Sequence, residues 1–374
     1  MRIWRYDMIK YFSVKNFKNF KDTVEIDFSD VRDYHFNECC VKDKLLHNAI
    51  IYGKNASGKT NLGYALFDIT YHLVDKQKLN VLYKNYLNAD SEQKYAEFLY
   101  VFVFGESEIQ YKYRKDESGE LILESLYLDG KMLFEYDFIL HKGDFSGIKD
   151  KVTDTLRFDV DFDFSLLRYI VNNTVIKEDS PIKKMVKFVS NMLWFRSMVG
   201  KNLYLGYQIG EKTITEYIIK NGLLEDFEKF LGECGIDEKL VQKTDPSGEE
   251  VIYFQKKRLI PFVDAASSGT IALAIFYVWF HEAESISFLW IDEFDAFYHY
   301  ELSEKIVQIL EEKIQCHSVL TSHNTNLLSN KIMRPDCYFV LADGKLTPIM
   351  NATERELREG HNLEKLFKNG EFNV

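Results

Sequence analysis

Apolar and polar positions divide the chain into blocks of different period. Residues 9–28 alternate apolar and polar side chains in two halves around Asn16 to Asp22, which predicts a strand pair with one solvated face. The run Ala49-Ile50-Ile51-Tyr52 predicts a strand, and after a Gly-rich break Leu62, Ala65, Leu66, Ile69 and Leu73 share one helical face. Alternation returns in 98–104, 108–114, 121–128 and 132–136. Gly105, Ser118-Gly119 and Asp129-Gly130 separate these stretches, as the turns of an antiparallel meander would. From about Phe164 to Gly235 the apolar spacing becomes helical: Leu166 to Ile170, Ile182 to Met192, Ile214 to Ile218, Leu223 to Leu231. This predicts a compact helical insertion. Strand patterns resume between Lys239 and Phe262, split by Asp245-Pro246-Ser247-Gly248, and close helix and strand alternation runs from Ser267 to Leu341. No repeat of fixed period is visible.

The 374 residues suffice for two lobes and a large core. A net charge of −11 argues against a protein that coats nucleic acid. Lys10, Lys15, Lys18 and Lys21 are the one basic hint, and they read as the solvent side of the first strand pair. Five cysteines (Cys39, Cys40, Cys234, Cys316, Cys337) show no metal-ligand spacing, and their odd number and scatter suit free thiols in a reducing compartment. The start, Met-Arg-Ile-Trp-Arg-Tyr-Asp, lacks the apolar stretch of a secretory signal, and the longest apolar run, Ile271 to Phe280, is too short to span a bilayer. The expectation is a soluble, cytoplasmic protein with no membrane partner.

The break after Tyr52 carries chemistry. Gly53 to Thr60 reads G-x-x-x-x-G-K-T between a predicted strand and a predicted helix. Such a loop turns its N–H groups toward phosphate oxygens, the helix N-terminus adds partial positive charge, Lys59 reaches the terminal phosphates and the Thr60 hydroxyl holds Mg²⁺. ATP and Mg²⁺ are therefore the expected cofactors, with Gly53, Asn55, Gly58, Lys59, Thr60 and Asn61 as nucleotide-binding positions. A phosphate loop needs a carboxylate for the metal and a group to activate water. Phe288-Leu289-Trp290-Ile291-Asp292-Glu293 places both at the end of an apolar strand pattern, with Asp292 as metal ligand and Glu293 as general base. Upstream, Ser267-Ser268-Gly269-Thr270 opens an apolar helix pattern and forms a second anion cradle, or in the simpler reading an N-cap. Downstream, Ser318 to Ser322 is a short strand pattern with His323 at its tip, where a γ-phosphate is in reach.

The order of these four pieces resembles that of ABC-type ATPases of the SMC/RecF-like branch, and in particular the AAA-family ATP-binding proteins of bacterial abortive-infection and OLD-like defence systems. Ser267-Ser268-Gly269-Thr270 resembles the signature S-x-G-T, Asp292-Glu293-Phe294-Asp295 the Walker B motif with its following D-loop, and His323 the switch histidine. Asn16-Phe17 resembles the hairpin that opens these heads, and Arg334-Pro335-Asp336 with Asn362 to Gly370 resembles their ending. Ala266 replaces the usual signature leucine, and no Q-loop glutamine can be placed, Gln93 and Gln110 being candidates without context. The middle block lacks the heptads of a DNA-embracing arm.

The resemblance implies an α/β fold: an ABC-type ATPase head with a mixed sheet, an antiparallel β subdomain and a compact helical insertion. Lobe I would span 1–140, the insertion 141–238, lobe II 239–350 and a tail 351–374. It also implies catalytic roles for Glu293 and His323, nucleotide contacts from Ser267, Ser268 and Gly269, and metal binding by Thr60 and Asp292. It further implies an ATP-dependent head-to-tail dimer, or a larger homo-oligomer, that hydrolyses ATP while controlling a separate effector such as a nuclease or toxin. The alternatives are a RecF-like DNA repair ATPase and a HEPN-like ribonuclease using the R-x5-H spacing of Arg355 and His361, for which the tail is too short to build a helical bundle.

Overall fold

The computed structural model describes residues 7–74, 83–149, 162–196, 203–206, 213–313 and 316–374. Most of the chain's opening heptapeptide lies outside them. β1 (Met8–Lys15) and β2 (Val24–Asp27) pair antiparallel, followed by the small hairpin β3 (Val41–Lys42) and β4 (Leu45–Leu46), then β5 (Asn48–Tyr52). The predicted meander forms as β6 (Ala96–Phe104), β7 (Ser107–Lys115), β8 (Leu121–Leu128) and β9 (Lys131–Asp137), extended by β10 (Lys142–Asp144). These strands build an all-antiparallel sheet in the order β10-β9-β8-β7-β6-β1-β2. Strict alternation along β6 buries Phe98, Tyr100 and Phe102 on one face.

The segment expected to be purely helical does contain the helices Leu166–Asn173, Pro181–Ser190, Ile214–Lys220 and Leu224–Glu233, but also β11 (Met192–Arg196) and β12 (Leu203–Gly206). The insertion thus contributes to the central sheet. A run of four apolar residues after a helix does not by itself distinguish strand from helix, and here burial between β12 and a parallel neighbour decides it. β13 (Leu240–Thr244), β14 (Glu250–Gln255) and β15 (Leu259–Pro261) form a separate antiparallel sheet. The chain then supplies β16 (Phe288–Ile291), β17 (His317–Ser322), β18 (Tyr338–Ala342) and β19 (Lys345–Pro348).

The second large sheet runs β12-β11-β16-β17-β5-β18-β19, parallel from β11 to β18 and closed at both ends by an antiparallel strand. The helix Lys59–Phe67 lies between the two sheets. Tyr100 of β6 donates its hydroxyl to the carbonyls of Ala65 and Leu66 (3.0 and 3.1 Å), while Gly63 faces Trp194 and Trp290 of β11 and β16. A Cβ at Gly63 would lie 2.6 Å from the Trp194 indole nitrogen and 2.8 Å from that of Trp290. Glycine's helix penalty is accepted there for close approach. The face running from Leu62 to Leu73 is buried as its spacing predicts, but it is divided between two helices, Lys59–Phe67 and Ile69–Leu73. At the junction, buried Asp68 accepts from Lys115 (2.5 Å), Tyr86 (2.9 Å) and Tyr113 (3.0 Å), which fastens the phosphate-loop helix to the meander.

Candidate nucleotide site

The parallel register assembles the site. Tyr52 of β5 lies opposite Ser322 of β17, and Ile291 of β16 lies opposite Leu320 of β17 and Phe195 of β11. The loops leaving these strands therefore emerge side by side at the carboxyl edge, where parallel sheets place ligands. They carry Gly53, His323, Asp292 and Arg196.

Gly58 adopts φ 107°, outside the range of most side chains, and a Cβ there would run into the Asn19 amide. The loop is held from outside: Asn19 Nδ2 donates to the Ser57 carbonyl (3.2 Å), and Asn61 Nδ2 donates to Asn19 Oδ1 (2.7 Å). Lys59 is buried and donates to the carbonyls of Gly53 (2.7 Å) and Lys54 (3.3 Å), with His323 Nδ1 at 3.4 Å. Burial lowers the pKa of Lys59, and nearby Asp292 and Glu293 counteract it. Burial and then the neighbouring Lys59 charge lower that of His323. A cavity of about 560 Å³ opens beside the loop, lined by Gly53, Asn55, Ser57 and His323 on one wall and by Phe367 and Val374 of the C-terminal end on another.

Asp292 is fully buried. It accepts from the hydroxyls of Thr60 (2.7 Å) and Thr321 (2.8 Å), and Arg196 Nη1 lies 3.4 Å from both Asp292 Oδ2 and Thr60 Oγ1. Burial raises the Asp292 pKa, while the two hydroxyls and Arg196 pull it back. Glu293 sits in the left-handed region at φ 50°, its N–H donates to Thr321 Oγ1 (2.8 Å), and its carboxylate pairs with Arg196 Nη2. A non-glycine residue held there by a buried threonine is local strain of the kind that accompanies function. Asp295 accepts from Ser322 (2.6 Å). The oxygen donors of Thr60 and Asp292 suit a hard cation such as Mg²⁺.

Ser267, Ser268 and Gly269 are not part of this group. Ser267 caps the helix Ser268–His281, its Oγ accepting from Thr270 N–H (3.1 Å), and both serines are exposed. Among the described residues no hydrogen bond joins them to the phosphate loop of the same chain. Gln93 donates to the Tyr95 carbonyl (3.0 Å), and Gln110 lies within β7 between Val101 and Tyr127. The strand beside β16 ends instead on Arg196. That residue, Thr321 and Asn19 are the site neighbours the sequence reading missed, since each becomes a neighbour only through sheet order or hairpin packing. Asn16 is buried with φ 55° and donates to the carbonyls of Gln93 and Tyr95 (2.7 and 2.8 Å), so it shapes the hairpin without touching the loop. Arg355 pairs with Glu371 (3.0 Å), and His361 Nδ1 accepts from Arg358 N–H (3.1 Å); the two are used separately.

A phosphate loop, a buried carboxylate bonded to its threonine and a histidine at the next strand tip, on a mixed sheet with an antiparallel companion, define an ABC-type P-loop ATPase head. The chain belongs to the AAA_21 family, described as "AAA domain, putative AbiEii toxin, Type IV TA system", whose profile matches residues 49–329. Solved structures of similar fold include the Smc head domain with a coiled coil and joint from Pyrococcus yayanosii, at TM-score 0.50 and 11% identity, covering 97% of this chain and 100% of that one. Others are the Smc head domain from Pyrococcus furiosus bound to the C-terminal domain of ScpA (0.44, 13%, covering 91% and 95%) and the SMC head domain from Thermotoga maritima (0.43, 17%, covering 91% and 98%). No curated protein matches the chain. No helix among the described residues is long and apolar enough to cross a membrane.

Proposed function

We propose that the chain is an ATP-hydrolysing switch that works as a head-to-tail dimer and, through assembly and release of that dimer, controls a separate toxic effector. The observation that carries the reading is the division of the site. Lys59, Thr60, Asp292, Glu293 and His323 converge, whereas the helix start with exposed Ser267 and Ser268 is spent on its own cap. A second copy presenting its helix start would complete the cage around the terminal phosphate. In the Proposed site Gly53, Asn55, Gly58, Lys59 and Asn61 hold the nucleotide, Thr60 and Asp292 hold Mg²⁺, and Glu293 accepts the proton of the attacking water. Bound Mg²⁺ supplies charge compensation across the phosphates. Arg196 spans Thr60, Asp292 and Glu293, so it must yield when a cation joins them. The family's association with a toxin–antitoxin system supports an effector-controlling role, and the separate engagement of Arg355 and His361 weighs against a ribonuclease.

Mixing tests the shared site. Lys59→Ala and Ser267→Arg should each be inactive in ATP turnover, while their mixture regains activity because mixed dimers contain one intact composite site. A mixture as inactive as its components overturns the shared site.

A further inference from the structure

We infer that Cys39, Cys40 and Glu311 form a binding site for a thiophilic divalent cation of the zinc class, separate from the nucleotide site. Two distant segments supply the ligands: the 3-10 turn Glu38–Cys40 and the last turns of the helix Tyr300–Lys313. The sulfurs of Cys39 and Cys40 and a Glu311 carboxylate oxygen all lie within 4.8 Å of one another. The Cys40 thiol donates to Glu311 Oε1 (3.3 Å). Tetrahedral zinc with bonds of about 2.0–2.3 Å holds its ligand atoms about 3.5–3.8 Å apart, so a contraction of about 1 Å closes the group around an ion.

Two cysteine sulfurs and a carboxylate oxygen are donors that a thiophilic divalent cation takes. A divalent ion would displace the thiol protons of Cys39 and Cys40, each released to solvent as its sulfur–metal bond forms. Glu311 is the carboxylate within reach of both sulfurs, whereas the nearby Asp336 is bound by the Arg334 guanidinium through both oxygens (2.8 and 2.7 Å) and by the Arg32 N–H (3.0 Å). Adjacent cysteines lying 271 residues from their carboxylate partner make no spacing motif, so the group becomes visible only in the fold. The helix Tyr300–Lys313 follows the turn that carries Asp292 to Asp295, and a bound ion would tie its far end to the N-terminal segment.

Full-length protein stripped with a chelator and titrated with Co²⁺ should develop thiolate-to-cobalt absorption saturating at one equivalent, which Zn²⁺ then displaces. Against a chromophoric chelator, Cys39→Ser and Glu311→Gln should each weaken zinc binding by roughly a hundredfold, and Cys234→Ser should leave it unchanged. Cys39 is exposed, so its variant is expected to fold, and circular dichroism checks this. Zinc should also protect Cys39 from a thiol reagent and raise the thermal midpoint of the wild type but not of Cys39→Ser. Absence of the thiolate band, or undiminished zinc affinity in Cys39→Ser, overturns the site.

Discussion

Replacing Arg196 by alanine probes the charge balance on which the nucleotide site rests. Its guanidinium compensates fully buried Asp292 at 3.4 Å and pairs with Glu293, whose side chain is 29% exposed. At this separation a unit-charge pair is worth about 5 kcal/mol at an effective dielectric constant of ~20. Removing one partner of a buried pair typically costs about 3–5 kcal/mol. Two features reduce that figure: Asp292 keeps the hydroxyls of Thr60 and Thr321, and Arg196 is 26% exposed. The expected loss is about 2 kcal/mol at neutral pH.

The pH dependence has a definite sign. Burial raises the Asp292 carboxyl above its ordinary 3.8, so the folded state binds the proton more tightly than the unfolded chain, and Asp292 contributes stability that falls as pH rises from 3.8 through the raised value. Loss of Arg196 raises that pKa further and deepens the fall. The deficit of Arg196→Ala should therefore be full at neutral pH and shrink on acidification as Asp292 becomes protonated. Mg²⁺ with nucleotide should stabilise the variant more than the wild type, since no guanidinium then has to leave. Urea unfolding at several pH values, with and without Mg²⁺ and a non-hydrolysable ATP analogue, measures all three effects. A deficit below about 0.5 kcal/mol, or one independent of both pH and Mg²⁺, refutes the reasoning.

Lys59→Ala should abolish ATP binding by calorimetry, because the terminal phosphates lose their main side-chain cation; unchanged affinity removes the site assignment. Gly63→Ala should destabilise by about 1–3 kcal/mol despite alanine's better helix propensity, because its Cβ meets both indoles; a stabilised variant in thermal unfolding would show that Trp194 and Trp290 move aside at no cost. Purified protein should leave tRNA and total RNA intact, and cleavage lost specifically in His361→Ala would make this a ribonuclease.

Features carried by contiguous residues were legible in the sequence. The phosphate loop and the apolar strand ending in Asp292-Glu293 declare themselves locally, and the meander does so through alternation closed by Gly105 and Gly130. Sheet order was not legible. Met192 to Phe195 continues an apolar pattern begun in the preceding helix, so β11 was absorbed into a helical insertion, and with it Arg196, a charged residue whose partners lie 96, 97 and 136 residues away. Asn19 was passed over for the neighbouring Asn16 because both occupy a polar hairpin turn, and only packing shows which of them reaches Ser57 and Asn61.

The central claim is a nucleotide site shared between two copies, and trapping the bound state tests it most directly. Glu293→Gln keeps Lys59, Thr60 and Asp292 in place while the proton acceptor is lost, which slows hydrolysis by typically about 10²–10⁴-fold and holds ATP in the site. Sedimentation velocity of Glu293→Gln should show ATP shifting the protein to a dimer, or to a larger assembly where dimers already exist, and Ser267→Arg in the same chain should abolish that shift. An assembly state of Glu293→Gln indifferent to ATP, or a shift that survives Ser267→Arg, contradicts the shared site.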